Sequence, residues 1–169
     1  MDTGKLVLRL FVGGLFMGHG LQKLTGWFGG PGIEGTEKMM EGTDIHPPRA
    51  NAYAVALTET AGGAAIAAGA ATPLASAGLI ATMLTAIDKV HWKNGFWNSK
   101  GGWEFNGTLI ATLFALSADG PGKLSIDAAA GRTRWGIGWG VFALVAGAAG
   151  AYGVVKLGER NAPAASGDR

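Results

Sequence analysis

None of the 169 residues is a cysteine. Disulfides, thiolate metal sites and iron–sulfur ligation are therefore excluded for this chain's own side chains. Charge is also scarce: 15% of residues are Asp, Glu, Lys or Arg, against roughly 25% in an average soluble protein. The formal net charge of +2 is small and scattered, which excludes the basic face that a nucleic-acid partner needs. What is abundant is hydrophobic and small. The chain is 48% hydrophobic with 30 glycines, and its mean hydropathy is +0.23. Small residues let helix backbones approach closely in a bilayer, where no hydrophobic drive pulls helices together. This composition predicts an integral membrane protein; the alternative is a soluble helical bundle rich in Ala and Gly.

Crossing a bilayer as a helix takes ~20 mostly apolar residues. Five segments qualify: Leu6–Leu24, Arg49–Ala71, Pro73–His91, Glu104–Ala118, which is short, and Trp135–Leu157. The first contains Arg9 and has no clear small-residue cleavage site after it, so it reads as a span rather than a signal peptide. A turn at Thr72 and Pro73 joins the second and third spans into a tight hairpin. The prediction is an all-α multi-pass membrane protein in up-down order. Residues 158–169 are small and polar and read as a disordered tail.

The loops are uneven. Between the first two spans, Thr36 to Glu41 is expected either as a short surface helix, with Met39 and Met40 dipping inward, or as a flexible loop. The connection HWKNGFWNSKGGWEF, from His91 to Phe105, is crowded with aromatics among glycines. Such residues form an interfacial belt or line the mouth of a pocket. The side with these loops carries nine of the 14 Lys and Arg residues, which by the positive-inside rule makes it cytoplasmic.

An up-down bundle brings the polar residues to one end. The first span finishes there with His19, Gln22 and Lys23, the third finishes with Asp88, Lys89 and His91, and the fourth begins with Glu104. Glu59, ten residues into the second span, lies about 15 Å deep at 1.5 Å per residue. An unpaired carboxylate at that depth is either protonated or matched by a cation. His19 and Lys23 are one helical turn apart and share a face. Each residue also has a structural explanation. His19 can bond a backbone carbonyl, Arg9 can snorkel to the interface or pair with Glu59, and Asp88 with Lys89 can form a solvated rim pair. Gly62, Gly63 and Gly69 suit close helix packing. A haem between His19 and His91, or a metal held by those histidines with Glu59 and Glu104, is allowed by ligand type but supported by no motif.

Taken together, LRLFVGGLFMGHGLQKLTGWFGGPG, the TETAGG around Glu59, the TP turn and VHWKNGFWNSKGGWEF resemble the DoxX family of small bacterial membrane proteins, over roughly Leu6 to Asp127. The resemblance implies a four-helix transmembrane bundle over residues 1–127. Residues 128–157 then hold a linker and an appended fifth transmembrane helix, expected to pack without joining a site. The family takes its name from likeness to the membrane part of a thiosulfate:quinone oxidoreductase. Some members are thought to work with a sulfurtransferase and a superoxide dismutase in oxidative-stress defence.

The leading expectation is therefore a redox-linked membrane subunit that binds a quinone and takes electrons from a partner enzyme. His19, Glu59, His91 and Glu104 are the candidates for proton transfer, and His19, Gln22, Lys23, Trp27, His91 and Trp97 for holding the quinone. Two alternatives stay open. One is a non-enzymatic anchor or assembly factor whose polar cluster fixes helix pairing; the other is a small transporter or proton pathway. A homo-oligomer fits any of the three.

Overall fold

Prolines and glycines set the helix ends. The computed structural model describes residues 2–162. Its helices are α1 (Asp2–Thr25), α2 (Gly32–Gly42), α3 (Pro48–Ala68), α4 (Thr72–Ala86), α5 (Glu104–Asp119), the short α6 (Ile126–Ala129) and α7 (Ile137–Asn161). α3 starts on Pro48 and stops at Gly69, whose φ of +66° is left-handed, and α4 carries Pro73 in its first turn. All five expected spans fold as helices within a few residues of their expected limits, and no strand occurs among the described residues. Two helices are long and apolar enough to cross a membrane, Thr72–Asn94, which extends α4, and Ile137–Asn161. α1 and α3 have the length but carry Arg9, Lys23 and Glu59, and α5 has 16 residues.

The main helices pack in chain order, α1 on α3, α3 on α4 and α4 on α5, with α7 laid against α4 and α5. Phe16, Ile66, Leu79, Ile80 and Leu113 form the core, joined by Ala143 of α7. α1 and α3 touch backbone to backbone. A Cβ built on Gly63 would lie 2.6 Å from the Gly13 carbonyl oxygen and from the Met17 nitrogen. Gly63 therefore serves close packing as expected, whereas Gly62 faces Leu79 of α4. Gly63→Val forces these backbones apart and is expected to cost about 1–3 kcal/mol, read as a lower unfolding temperature in detergent.

Three expectations change. α7 runs to Asn161, and Gly158 is buried against Asp44, Ile45 and His46, so the expected tail from 158 starts as helix; 163–169 lie outside the described residues. α2 begins at Gly32, four residues before the expected helix, and it packs against α1 and α3. Thr36 ties it down by donating to the Gly32 carbonyl at 2.8 Å and approaching that of Lys23 at 3.2 Å.

Arg9 is the third. It neither snorkels nor meets Glu59. Only 1% of it is exposed, at the end of the bundle opposite the aromatic loop of residues 91–105. Its Nη1 donates to the Ala67 carbonyl at 3.1 Å and its Nη2 to that of Leu124 at 2.5 Å. Asp127 completes this end, accepting from Ala71 N and Thr72 N at 2.9 Å each and from Thr72 Oγ1 at 2.8 Å. Arg9 thus satisfies a carbonyl at the close of α3, and Asp127 satisfies amides at the start of α4.

Candidate functional site

Glu59 lies in the middle of α3, a position that faces inward and leaves it 3% exposed. Its Oε2 accepts from Lys23 Nζ at 2.5 Å, across the α1–α3 contact. The glycine seam explains the pairing. α1 lies so close to α3 that the lysine near its C-terminus reaches a carboxylate deep in its neighbour. A buried carboxylate is tolerable only when paired and hydrogen-bonded, and Lys23 meets that need.

The pair opens into a cavity of about 580 Å³. His19, Lys89, His91, Asn98 and Asn106 add polar groups to its lining, among many apolar ones that include Phe16, Met39, Met40, Met83 and Leu109. A concave, mainly apolar space with a few convergent polar groups is the form of a small-molecule site.

A π-helical turn, Ile87–His91, ends α4. Such turns displace side chains from the regular helical register and recur at functional sites. Here it carries Lys89, Val90 and His91 to the cavity, while Asp88 is exposed. The expected Asp88–Lys89 rim pair is absent among the described residues. His91 Nδ1 lies 2.8 Å from the Gly101 carbonyl oxygen. An oxygen acceptor there requires Nδ1 to carry the hydrogen, so in the neutral ring Nε2 holds a free lone pair.

Four of the sequence candidates, His19, Lys23, Glu59 and His91, line this one cavity. Gln22, Trp27, Trp97 and Glu104 do not. Gln22 Nε2 meets the Phe28 carbonyl at 3.5 Å, and Trp27 is exposed beside Phe28. Glu104 Oε1 accepts from Asn98 N at 2.9 Å. That bond fixes the aromatic loop, in which Trp103 stacks on Trp92 at 6.2 Å and meets Phe96 edge-on at 4.9 Å. Glu104 therefore holds the Asn98 amide beside the cavity, which Asn98 lines. Among the described residues no three His, Asp or Glu side chains are grouped to hold a metal.

Sequence reasoning missed Asn106, which is 7% exposed with its Nδ2 3.4 Å from Met83 Sδ. It also missed the lining by Lys89 and the part taken by the fifth helix. α7 does more than pack: Gly150 and Val154 belong to the cavity wall. An asparagine one turn inside an apolar helix was the available signal for the first.

No solved structure matches the chain. It is 31% identical over 126 residues to the "Putative oxidoreductase CatD" of Bacillus subtilis (strain 168), covering 75% of this chain and 86% of that protein. The DoxX family model matches residues 4–92, a shorter stretch than the resemblance read from the motifs. It takes in His19, Lys23, Glu59, Lys89 and His91 and stops before Asn98, Asn106 and α7. By this match and that relative, the chain belongs to the DoxX family of membrane proteins.

Proposed function

We propose that the protein is the quinone-binding subunit of a redox complex, seated in the bacterial inner membrane with α1, α3, α4 and α5 as a four-helix transmembrane bundle and α7 as the fifth span. The observation that carries this reading is the Lys23–Glu59 pair at 2.5 Å inside a cavity of about 580 Å³ with apolar walls. A quinone needs such a space: an apolar surround for its ring and a few polar groups for its carbonyl oxygens. Lys23 or a protonated His91 donates to one carbonyl, and His19 or Asn106 serves the other. Reduction to the quinol takes two electrons and two protons. The protons come through Lys23, Glu59 and the histidines; the electrons come from a partner enzyme. In the reverse direction the free Nε2 of neutral His91 accepts a quinol hydroxyl proton.

The relative in Bacillus subtilis, by its name an oxidoreductase, supports the redox class. The exposed Trp92, Phe96 and Trp97 beside the cavity form the face offered to the partner. A sulfurtransferase or a superoxide dismutase is the partner that the family resemblance implies. The anchor or assembly reading keeps one observation in its favour, because Lys23 of α1 already pairs with Glu59 of α3 and so ties the two helices together. The two separate on thermal stability in reconstituted bilayers. A ligand that binds only the folded state raises the unfolding transition, so added menaquinone is expected to raise it saturably in the native protein and not in Glu59→Gln. No rise in the native protein favours the anchor.

A further inference from the structure

The cavity continues beyond its polar residues. From Lys23 and Glu59 it runs between α3 and α4, past Ala54, Thr58, Gly78 and Ala81, and reaches Gly150 and Val154 of α7. This arm offers little to water. Thr82 Oγ1 already donates to the Leu79 carbonyl at 2.8 Å, and Thr85 Oγ1 to that of Ala81 at 2.9 Å. The Thr58 methyl carbon is what faces Gly78.

Small residues line this arm and bring its helices close together. A Cβ on Gly78 would lie 3.3 Å from Thr58 Cγ2, and one on Gly150 3.2 Å from Ala81 Cβ. A bulky side chain at either position therefore fills the passage. Ligand cavities measure roughly 300–1,000 Å³, so about 580 Å³ exceeds the need of a fused ring pair alone. The polar groups and this apolar arm line one and the same cavity. α7, which contributes Gly150 and Val154 to the arm, lies outside the residues matched by the family model.

We infer, resting on the quinone reading above, that the cleft between α3, α4 and α7 holds the prenyl tail of the bound quinone. Gly78 and Gly150 set the width of the tail path, and α7 is the element that makes the site selective for a tailed ligand.

The test uses the full chain in lipid nanodiscs and two probes, menaquinone and menadione, which is the ring without a tail. The readout is the probe concentration giving half of the saturable rise in unfolding temperature. Gly150→Leu obstructs the arm from α7 and Ala54→Trp from α3, both at exposed positions where folding is not at stake. Each variant is expected to weaken menaquinone by about tenfold or more while changing menadione by less than about twofold, because only the tail loses buried methylenes. Equal effects on both probes, or none on menaquinone, would overturn the tail path while leaving the head site in place. Failure of the native protein to bind either probe overturns the quinone reading, and the tail path with it.

Discussion

Glu59→Leu is expected to destabilise the folded protein by about 3–5 kcal/mol, since it leaves Lys23 as an unpaired cation in a largely apolar cavity. Most of that loss belongs to the stranded charge rather than to the missing carboxylate. The double variant Lys23→Met with Glu59→Leu is therefore expected to recover most of the stability, as replacing both members of a buried pair by apolar groups is close to neutral. Glu59 is 4% exposed at its side chain and Lys23 19%, so stranding Lys23, the partner nearer water, costs no more than stranding Glu59. That ordering gives a second check: Lys23→Met alone, which strands the more deeply buried carboxylate, is expected to cost at least as much as Glu59→Leu. Denaturation in mild detergent measures all three variants. Additive effects in the double variant would mean that the two side chains do not depend on each other.

The second large effect is expected far from the cavity. Asp127→Ala removes the acceptor for Ala71 N, Thr72 N and Thr72 Oγ1 at once, and Asp127 is 3% exposed. Each buried donor left without a partner costs about 1–3 kcal/mol, so the total expected is about 3–5 kcal/mol, with the upper part softened where water enters. Asp127→Asn keeps the shape but turns an NH2 group toward backbone donors, and is expected to lose about half as much. Ala71 sharpens the dependence. Its φ of +44° is a left-handed conformation that a non-glycine residue holds only under constraint, and the Asp127 Oδ1 contact to Ala71 N supplies part of that constraint. Ligand response should survive in whatever fraction of Asp127→Asn folds, because this end of the bundle does not touch the cavity lining.

The five apolar segments were legible because their helical limits follow from hydropathy and from Pro and Gly punctuation. The gathering of His19, Lys23, Glu59 and His91 was legible for a geometric reason: antiparallel helices of similar length return to the same end. What an up-down reading cannot show is rotation about each helix axis. It offered Arg9 either snorkelling or pairing with Glu59, while Arg9 and Glu59 point to different ends of the bundle. It gave Glu104 a chemical part, although the fold bonds that carboxylate to the Asn98 amide. The π turn was hidden because Ile87–His91 has no distinctive composition, and only it explains why Lys89, Val90 and His91 all reach one cavity. α7 looked like a plain packing helix because it carries no charge before Lys156; its contribution at Gly150 and Val154 is space rather than chemistry.

Photolabelling tests the central claim, that the cavity around Lys23 and Glu59 is a quinone site, most directly. The protein is reconstituted with a photoreactive menaquinone carrying its label on the ring, illuminated, and mapped by peptide mass spectrometry. Labels are expected on cavity residues such as Met39, Met83 and His91, and competed away by unlabelled menaquinone. Labels confined to outward-facing residues such as Phe11, Val145 and Tyr152, which are 72%, 61% and 66% exposed, and indifferent to competition, would contradict it.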